Sequence, residues 1–275
     1  MEDTKGSDRV VWRVSNGVAD VRLNRPDKLN ALDPDMFSAL GQAGDALGAD
    51  RTVRAVVISG EGRGFCAGLD VMTFAAMATD GAGGLPEALG RRPGDRDTNH
   101  AQHAVRVWAE LAVPVIAAVH GVALGGGLQL ALGADLRIVA PDARLSVLEV
   151  RWGMVPDMTG TWVLPRLVGM DVAKELTWTG RMVSGIEAVS LGLATRSADD
   201  PRADALALAQ AIAASSPDAV QAAKVLLDAS LEAGPAEQFR AEAKLNGGLI
   251  GSPNQTEAAT AFLGKRTPAF VDRPR

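Results

Sequence analysis

Strand and helix signals alternate along this chain to about residue 200, and only helical signals follow. That pattern predicts the α/β fold class, an α/β core carrying an all-α C-terminal region. Three stretches support the prediction. Val10 to Leu23 is a pair of apolar-rich runs joined by Asn16-Gly17. Val113 to Val119 is a branched apolar run that leads through Gly125, Gly126 and Gly127 into a helical pattern ending near Leu132. Beyond Pro201 the chain is rich in alanine at helical spacing. We place the core at residues 1–200 and the helical region at 201–275, with no repeat of solenoid period in either.

Taken in order, Asn16-Gly17 is a strong type I′ turn signal and makes residues 10–23 a hairpin. Asn24 to Leu32 leaves the sheet as a loop. Asp33 and Pro34 suit the N-cap and first position of a helix running to about Leu47. Val53 to Ser59 reads as a strand, Gly60 to Gly64 as a glycine-punctuated loop, and Phe65 to Asp70 as the lead into a short helix. The segment from about Thr79 to Thr98 lacks periodicity and is expected to be a mobile insertion. Helix is expected over Asn99–Leu111, then the strand before the glycine triplet, then strands at Asp135–Val139 and Arg144–Leu148. Glu149 to Asp157 has no clear period. Helices follow over Gly160–Val168, Asp171–Thr179 and Ser184–Leu193, then over Ala203–Ala214, Asp218–Ala233, Pro235–Gly247 and Thr256–Phe262.

Composition narrows the function classes. A formal net charge of −5 argues against a general nucleic-acid or anionic-membrane binder. No apolar run is long enough to span a bilayer, and the polar Met1–Asp8 segment does not read as a signal peptide. The single cysteine, Cys66, excludes an intrachain disulfide and fits a reducing compartment, so a cytoplasmic protein is expected. His100 and His103 sit three residues apart without a third ligand nearby, and no metal site is expected.

The glycine triplet is the most informative local signal. Glycines between a strand and a helix let a ligand approach the backbone, and the first helical N–H groups favour negative charge. No Lys-Ser/Thr follows the triplet and the G-x-G-x-x-G spacing is missing, so neither phosphate-cradling motif fits. A second glycine-assisted turn lies at Ala67-Gly68-Leu69. If helices start at Leu69 and Gly126, each has a free N–H, and two such donors converging on one oxygen would form an oxyanion hole. Spacing alone does not establish that the two loops converge.

Five motifs in this order resemble the crotonase superfamily of enoyl-CoA hydratases and isomerases. They are Asn24-Arg-Pro-x-x-x-Asn-Ala-Leu32, Phe65-Cys-Ala-Gly-Leu-Asp70, Gly121-x-Ala-x-Gly-Gly-Gly127, Ala134-Asp-Leu-Arg137 and the block from Gly153 to Gly169. The resemblance spans about Val10 to Phe270. It implies a spiral of ββα units with a C-terminal helical region that mediates trimer or hexamer assembly. It also implies an acyl-CoA thioester substrate, with coenzyme A entering as part of that substrate and no separate cofactor. By this resemblance Leu69 and Gly126 are the oxyanion donors. Asp27, Lys28, Leu29, Ala67 and Asp70 line the coenzyme A path, and Phe262 and Lys265 contact its nucleotide end from a neighbouring subunit.

The acid/base positions depart from the hydratase pattern. Hydratases of this family use two glutamates about one water; here the first position holds Gln129 and the second keeps Glu149. An amide orients a water but does not accept a proton in the useful pH range. Asp157 matches an aspartate of the dienoyl-CoA isomerases, which also carry an aspartate at the position of Gln129. Plainer roles compete: an N-cap for Asp157, a backbone-bonded helix residue for Gln129, a small buried hydrophobe for Cys66. The five tryptophans are expected to be packing residues, with shaping of the acyl pocket as the alternative for Trp152 and Trp162, which flank the site. The expected activity is double-bond isomerisation of 3-enoyl- or dienoyl-CoA by proton transfer. Syn hydration of 2-enoyl-CoA, or low-turnover acyl-CoA binding, are the alternatives.

Overall fold

The computed structural model describes residues 4–80 and 97–272. The hairpin forms as expected: β2 (Val10–Ser15) and β3 (Val18–Leu23) pair antiparallel, with Val10 opposite Leu23 and Ser15 opposite Val18. Asn16 and Gly17 take φ of 49° and 79°, the positive values a type I′ turn requires. β1 (Lys5–Gly6) extends this hairpin at its outer edge. Parallel strands β4 (Ala55–Gly60), β5 (Val115–Val119), β7 (Leu136–Val139) and β10 (Arg196–Ser197) continue it, giving a seven-stranded sheet in the order β1-β2-β3-β4-β5-β7-β10 among the described residues. β4 and β5 are buried on both faces, which is why β5 and residues 55–58 of β4 read as unbroken apolar runs.

A second sheet, of three strands, is made from β6 (Val122–Leu124), β8 (Arg144–Ser146) and β9 (Val183–Ser184). The chain therefore passes from the large sheet to the small one twice, β5 to β6 and β7 to β8, before a helical segment each time. This repeated passage is the expected ββα spiral. β6 and β9 are too short to have announced themselves in the sequence.

Helices cover both faces of the large sheet. Asp33 caps α1 (Pro34–Ala49) by accepting from the Met36 N–H at 2.8 Å. Asn99 and Gln102 form a reciprocal capping box at the start of α3 (His100–Ala109). α2 (Val71–Asp80) lies between these two in sequence, and the expected insertion at 79–98 falls almost wholly outside the described residues. Next come α4 (Gly126–Leu132), α5 (Gly160–Val168), α6 (Met170–Thr179) and α7 (Gly185–Ser190). The C-terminal region is α8 (Pro201–Ala213), α9 (Pro217–Ala229), α10 (Pro235–Leu249) and α11 (Pro253–Leu263).

α8 packs on the sheet itself. Its Ala205, Ala209 and Ala213 repeat every four residues and meet Val57, Ile116 and Ile138 in a second core cluster. α9 is tied to the core by Lys224, a buried cation that donates to Asp135 Oδ2 at 2.7 Å and to the Val113 carbonyl at 3.2 Å. α10, the Ile250 that caps it and α11 expose large apolar side chains, among them Phe239, Phe262 and Leu263. No described helix is long and apolar enough to cross a membrane.

Candidate active site

The site is built where loops leave the C-terminal ends of the strands. After β4 the chain runs as Phe65-Cys66-Ala67-Gly68-Leu69, and it is stitched to its surroundings on both sides. Cys66 bridges Ala123, with the Cys66 N–H donating to Val122 O at 2.9 Å and the Leu124 N–H to Cys66 O at 3.1 Å. Leu69 bridges Leu32, with the Leu32 N–H donating to Gly68 O at 2.7 Å and the Asp70 N–H to Leu32 O at 3.0 Å. The condition that a helix start at Leu69 is not met, while the short helix expected after Asp70 is present. α2 begins at Val71, and the Leu69 amide is free because the bridge uses the groups on either side of it.

The glycine triplet approaches this loop closely. A Cβ built on Gly68 would lie 2.5 Å from Leu124 O and 3.7 Å from Gly126 N; one on Gly127 would lie 2.3 Å from Cys66 O. Any side chain at either position would push the two loops apart. Gly126 opens α4, so its N–H has no intrahelical acceptor. The two amides, Leu69 and Gly126, thus belong to loops in direct contact, which residue spacing left open.

Glu149 lies against the same triplet. It opens a short 3₁₀ turn, Glu149–Trp152, and is 6% exposed. Its Oε1 is 3.4 Å from where a Cβ on Gly125 would be. Gln129, one turn into α4 and 2% exposed, donates from Nε2 to Glu149 Oε1 at 2.6 Å. The carbonyl end of that amide accepts from the Met158 N–H at 2.8 Å and the Gly160 N–H at 3.0 Å. Two backbone donors on Oε1 fix the amide's orientation, so its nitrogen has to face the carboxylate. Glu149 Oε2 is buried and makes no hydrogen bond.

Burial pushes the Glu149 carboxyl above the usual range, and the charge of Asp157 adds to the rise. Nearby backbone dipoles and the Gln129 bond offset part of it. Asp157 retains solvent-exposed surface, yet the protein around it raises its carboxyl too, by desolvation. It sits in the turn that Gln129 ties down and is electrostatically coupled to Glu149. Burial drives the Cys66 thiol up to about 12, and its Sγ donates to Asn30 O at 3.1 Å, which leaves it an inert packing residue.

The remaining expected residues are placed as follows. Asp27 and Lys28 are exposed on a 3₁₀ turn, Pro26–Lys28, and Leu29 follows in a left-handed conformation with φ 49°. Its carbonyl accepts the Ala67 N–H at 2.9 Å, so the Asp27–Leu29 turn and the Ala67 loop adjoin. Asp70 is 6% exposed, with Oδ2 taken by Arg25 at 2.6 Å and Oδ1 by the Met72 N–H at 2.8 Å. Trp152 meets Phe74 of α2 edge-on at 4.8 Å, and Trp162 lies under the Arg166 guanidinium. Phe262 and Lys265 are exposed at the end of α11, and the segment beyond them is held by Arg54, at the start of β4. A single chain does not bring these two residues into the site. Sequence reasoning missed the roles of Arg25, Asn30 and Leu32, although all three lie in the first motif. A charged residue and an amide inside an otherwise apolar-anchored loop were the available signal.

A family model described as enoyl-CoA hydratase/isomerase matches residues 13–273 of this chain. The chain belongs to that family. The peroxisomal Delta(3,5)-Delta(2,4)-dienoyl-CoA isomerase of Arabidopsis thaliana is 31% identical over 274 residues, covering 98% of this chain and 99% of that one. The mitochondrial enoyl-CoA hydratase domain-containing protein 2 of Mus musculus is 35% identical over 266 residues, covering 94% and 86%. Mouse mitochondrial methylglutaconyl-CoA hydratase is 32% identical and covers 93% and 80%. Among solved structures, an enoyl-CoA hydratase from Bacillus anthracis aligns with a TM-score of 0.86 at 29% identity, covering 95% and 98%. The resemblance read from the five motifs is thereby established for the family and the fold, while the relatives include both isomerase and hydratases.

Proposed function

We propose that this family member shifts the double bond of an enoyl-CoA thioester by proton transfer through Glu149. The observation that carries the reading is the Gln129–Glu149 contact of 2.6 Å. It places an amide where hydration calls for a second proton-carrying group, and it leaves Glu149 Oε2 as the uncommitted oxygen. The thioester carbonyl accepts from the Leu69 and Gly126 amides. Glu149 Oε2 removes a proton from C2 of a 3-enoyl-CoA, the electrons pass toward the carbonyl, and the proton returns at C4 to give the 2-enoyl ester. With a dienoyl substrate, Asp157 serves the far end of the conjugated system. Each well-aimed backbone donor typically contributes a few kcal/mol of transition-state stabilisation, and positioned proton transfer ~10²–10⁴-fold.

Coenzyme A is bound in this reading by the Asp27–Leu29 turn and the Ala67–Asp70 loop. Phe262 and Lys265 of a neighbouring subunit complete the nucleotide end. The exposed apolar side chains of α10 and α11 support assembly as a trimer or hexamer. The lone buried Cys66 is consistent with a reducing, cytoplasmic setting. Hydration is the second reading. The coupling between Glu149 and Asp157 favours it, because two carboxylates about one site can share the protons that a water must gain and lose. The ratio of kcat/KM for 3-enoyl-CoA isomerisation to that for crotonyl-CoA hydration decides between them. Isomerisation faster by an order of magnitude is expected; hydration faster by that factor refutes the proposal, and turnover of neither substrate leaves a binding protein.

A further inference from the structure

Arg25 sits between the two chain segments that form the Leu32–Leu69 bridge. One of its terminal nitrogens donates both to the Ala31 carbonyl, at 3.2 Å, and to Asp70 Oδ2, at 2.6 Å. Ala31 immediately precedes one bridge residue and Asp70 immediately follows the other. A single guanidinium group therefore spans the bridge from outside. Its Nε lies 3.6 Å from Asp33 Oδ2, and Asp33 is in turn gripped by Arg9 at 2.7 Å. The row Arg9–Asp33–Arg25–Asp70 alternates in sign, and the Asp33 and Asp70 carboxylates at the same time cap α1 and the first turn of α2. Arg25 is further held by its own N–H, which donates to Asn30 Oδ1 at 2.8 Å.

The bridge determines where the Leu69 amide points. A trans peptide is planar, with its N–H directed opposite to its C=O. Gly68 O is held toward Leu32 by the 2.7 Å bond from the Leu32 N–H, so the Leu69 N–H of that same peptide has to point away from Leu32. The Gly126 amide lies close to that peptide, since a Cβ on Gly68 would be 3.7 Å from Gly126 N. Rotation of the Gly68–Leu69 peptide would break the bridge first. The bridge is one residue wide on each side, and a pairing that short needs support from its flanks.

We infer that Arg25 is a positioning residue for catalysis: by clamping Ala31 to Asp70 it fixes the Leu32–Leu69 bridge and hence the direction of the Leu69 N–H. The inference rests on the reading of that N–H as a donor to the thioester carbonyl. Donor direction matters most as charge develops on the oxygen, so loosening it lowers kcat more than it raises KM. Lysine keeps the charge beside Asp70, but it gives up the second nitrogen beside Asp33 and the planar guanidinium that seats Nη1 between the Ala31 carbonyl and Asp70 Oδ2.

The test combines steady-state kinetics with the electronic absorption of bound 2,4-hexadienoyl-CoA, whose band moves to the red as donors pull electron density toward the carbonyl. Arg25→Lys is expected to lose about 10- to 100-fold in kcat while KM changes by less than about threefold. The red shift of the bound ligand shrinks with it, although thermal melting shows a folded protein. Arg25→Ala is expected to lose at least as much, and added guanidinium ion to restore part of both signals. A full red shift and wild-type kcat in Arg25→Lys overturn the inference. So does a fall in melting temperature with an unchanged shift per bound ligand, because that is what a purely structural role gives. A wild-type protein that binds the dienoyl ester with no red shift overturns the oxyanion reading itself, and the role of Arg25 with it. If Arg25→Ala does not fold, the lysine variant decides the matter alone.

Discussion

Replacing Gln129 with glutamate tests the heart of the proposed chemistry, because it changes one group and almost no volume. Gln129 Oε1 already accepts from the Met158 and Gly160 N–H groups at 2.8 and 3.0 Å. The carboxylate that takes its place keeps both bonds and turns its other oxygen on Glu149 Oε1, where a 2.6 Å donor bond stood. Two acceptors at that separation are held together only by a shared proton. Unit charges about 4 Å apart at an effective dielectric near 20 repel by ~4 kcal/mol, which corresponds to about three pKa units. The second ionisation of the pair therefore moves toward or above neutrality. Isomerisation, which needs an ionised Glu149, is expected to fall about 10- to 100-fold at neutral pH and to recover as the pH is raised. Hydration of crotonyl-CoA is expected to rise, since a pair holding one proton has an acid to deliver it and a base to activate water. The assay is kcat against pH for both reactions, with a difference infrared spectrum to follow the protonated carboxyl band. An acid limb within about half a unit of wild type would refute the reasoning, because it would mean that residue 129 does not touch Glu149.

Five further outcomes are expected. Glu149→Gln abolishes isomerisation and hydration alike, by ~10²-fold or more, and a variant that still isomerises removes Glu149 from its role. Asp157→Asn takes away a charge that raises the Glu149 carboxyl, so the acid limb of kcat moves to lower pH and dienoyl-CoA turnover suffers more than 3-enoyl-CoA turnover; an unmoved limb contradicts the coupling. Because the folded-state values of Glu149 and Asp157 both lie above their unfolded ones, their contribution to stability is fully present below the unfolded values. It is lost as pH rises through the raised ones, and chemical denaturation on either side of that window in wild type and Asp157→Asn should show the difference shrinking in the variant. Finally, Gly126→Pro deletes an oxyanion donor and should abolish activity in a folded protein, while sedimentation at micromolar concentration should show a trimer or hexamer. Wild-type turnover in the first, or a monomer in the second, goes against the reading.

Legibility in the sequence followed the range of the interactions. Asn16-Gly17 and Asp33-Pro34 act on their immediate neighbours, and both turned out as read. The strand–helix alternation held because β4 and β5 are buried on both faces and are therefore mostly apolar. What frees the Leu69 N–H was not legible, because its partner, Leu32, lies in another loop and contributes only a one-residue bridge. Gln129 was legible as an exception to a pattern but not as a contact, since its carbonyl end is fixed by a turn at Met158–Gly160 that follows a different strand. Arg25 was quoted within a motif without a role, and only the folded chain shows that it reaches Ala31 and Asp70 at once.

The amide at 129 also makes electrostatic sense of the other two groups. Glu149 has to lose its proton to act as a base, yet burial and the Asp157 charge both oppose that loss. A third carboxylate in direct contact would oppose it further. An amide whose nitrogen is forced toward Glu149 Oε1 does the reverse, because a hydrogen bond donated to the ionised form favours that form. Gln129 thus keeps Glu149 ionisable in a buried setting while holding one of its oxygens still. The other oxygen, buried and without a hydrogen bond, faces no internal competitor for a substrate proton. A site arranged in this way suits moving one proton between carbons better than managing the several protons of water.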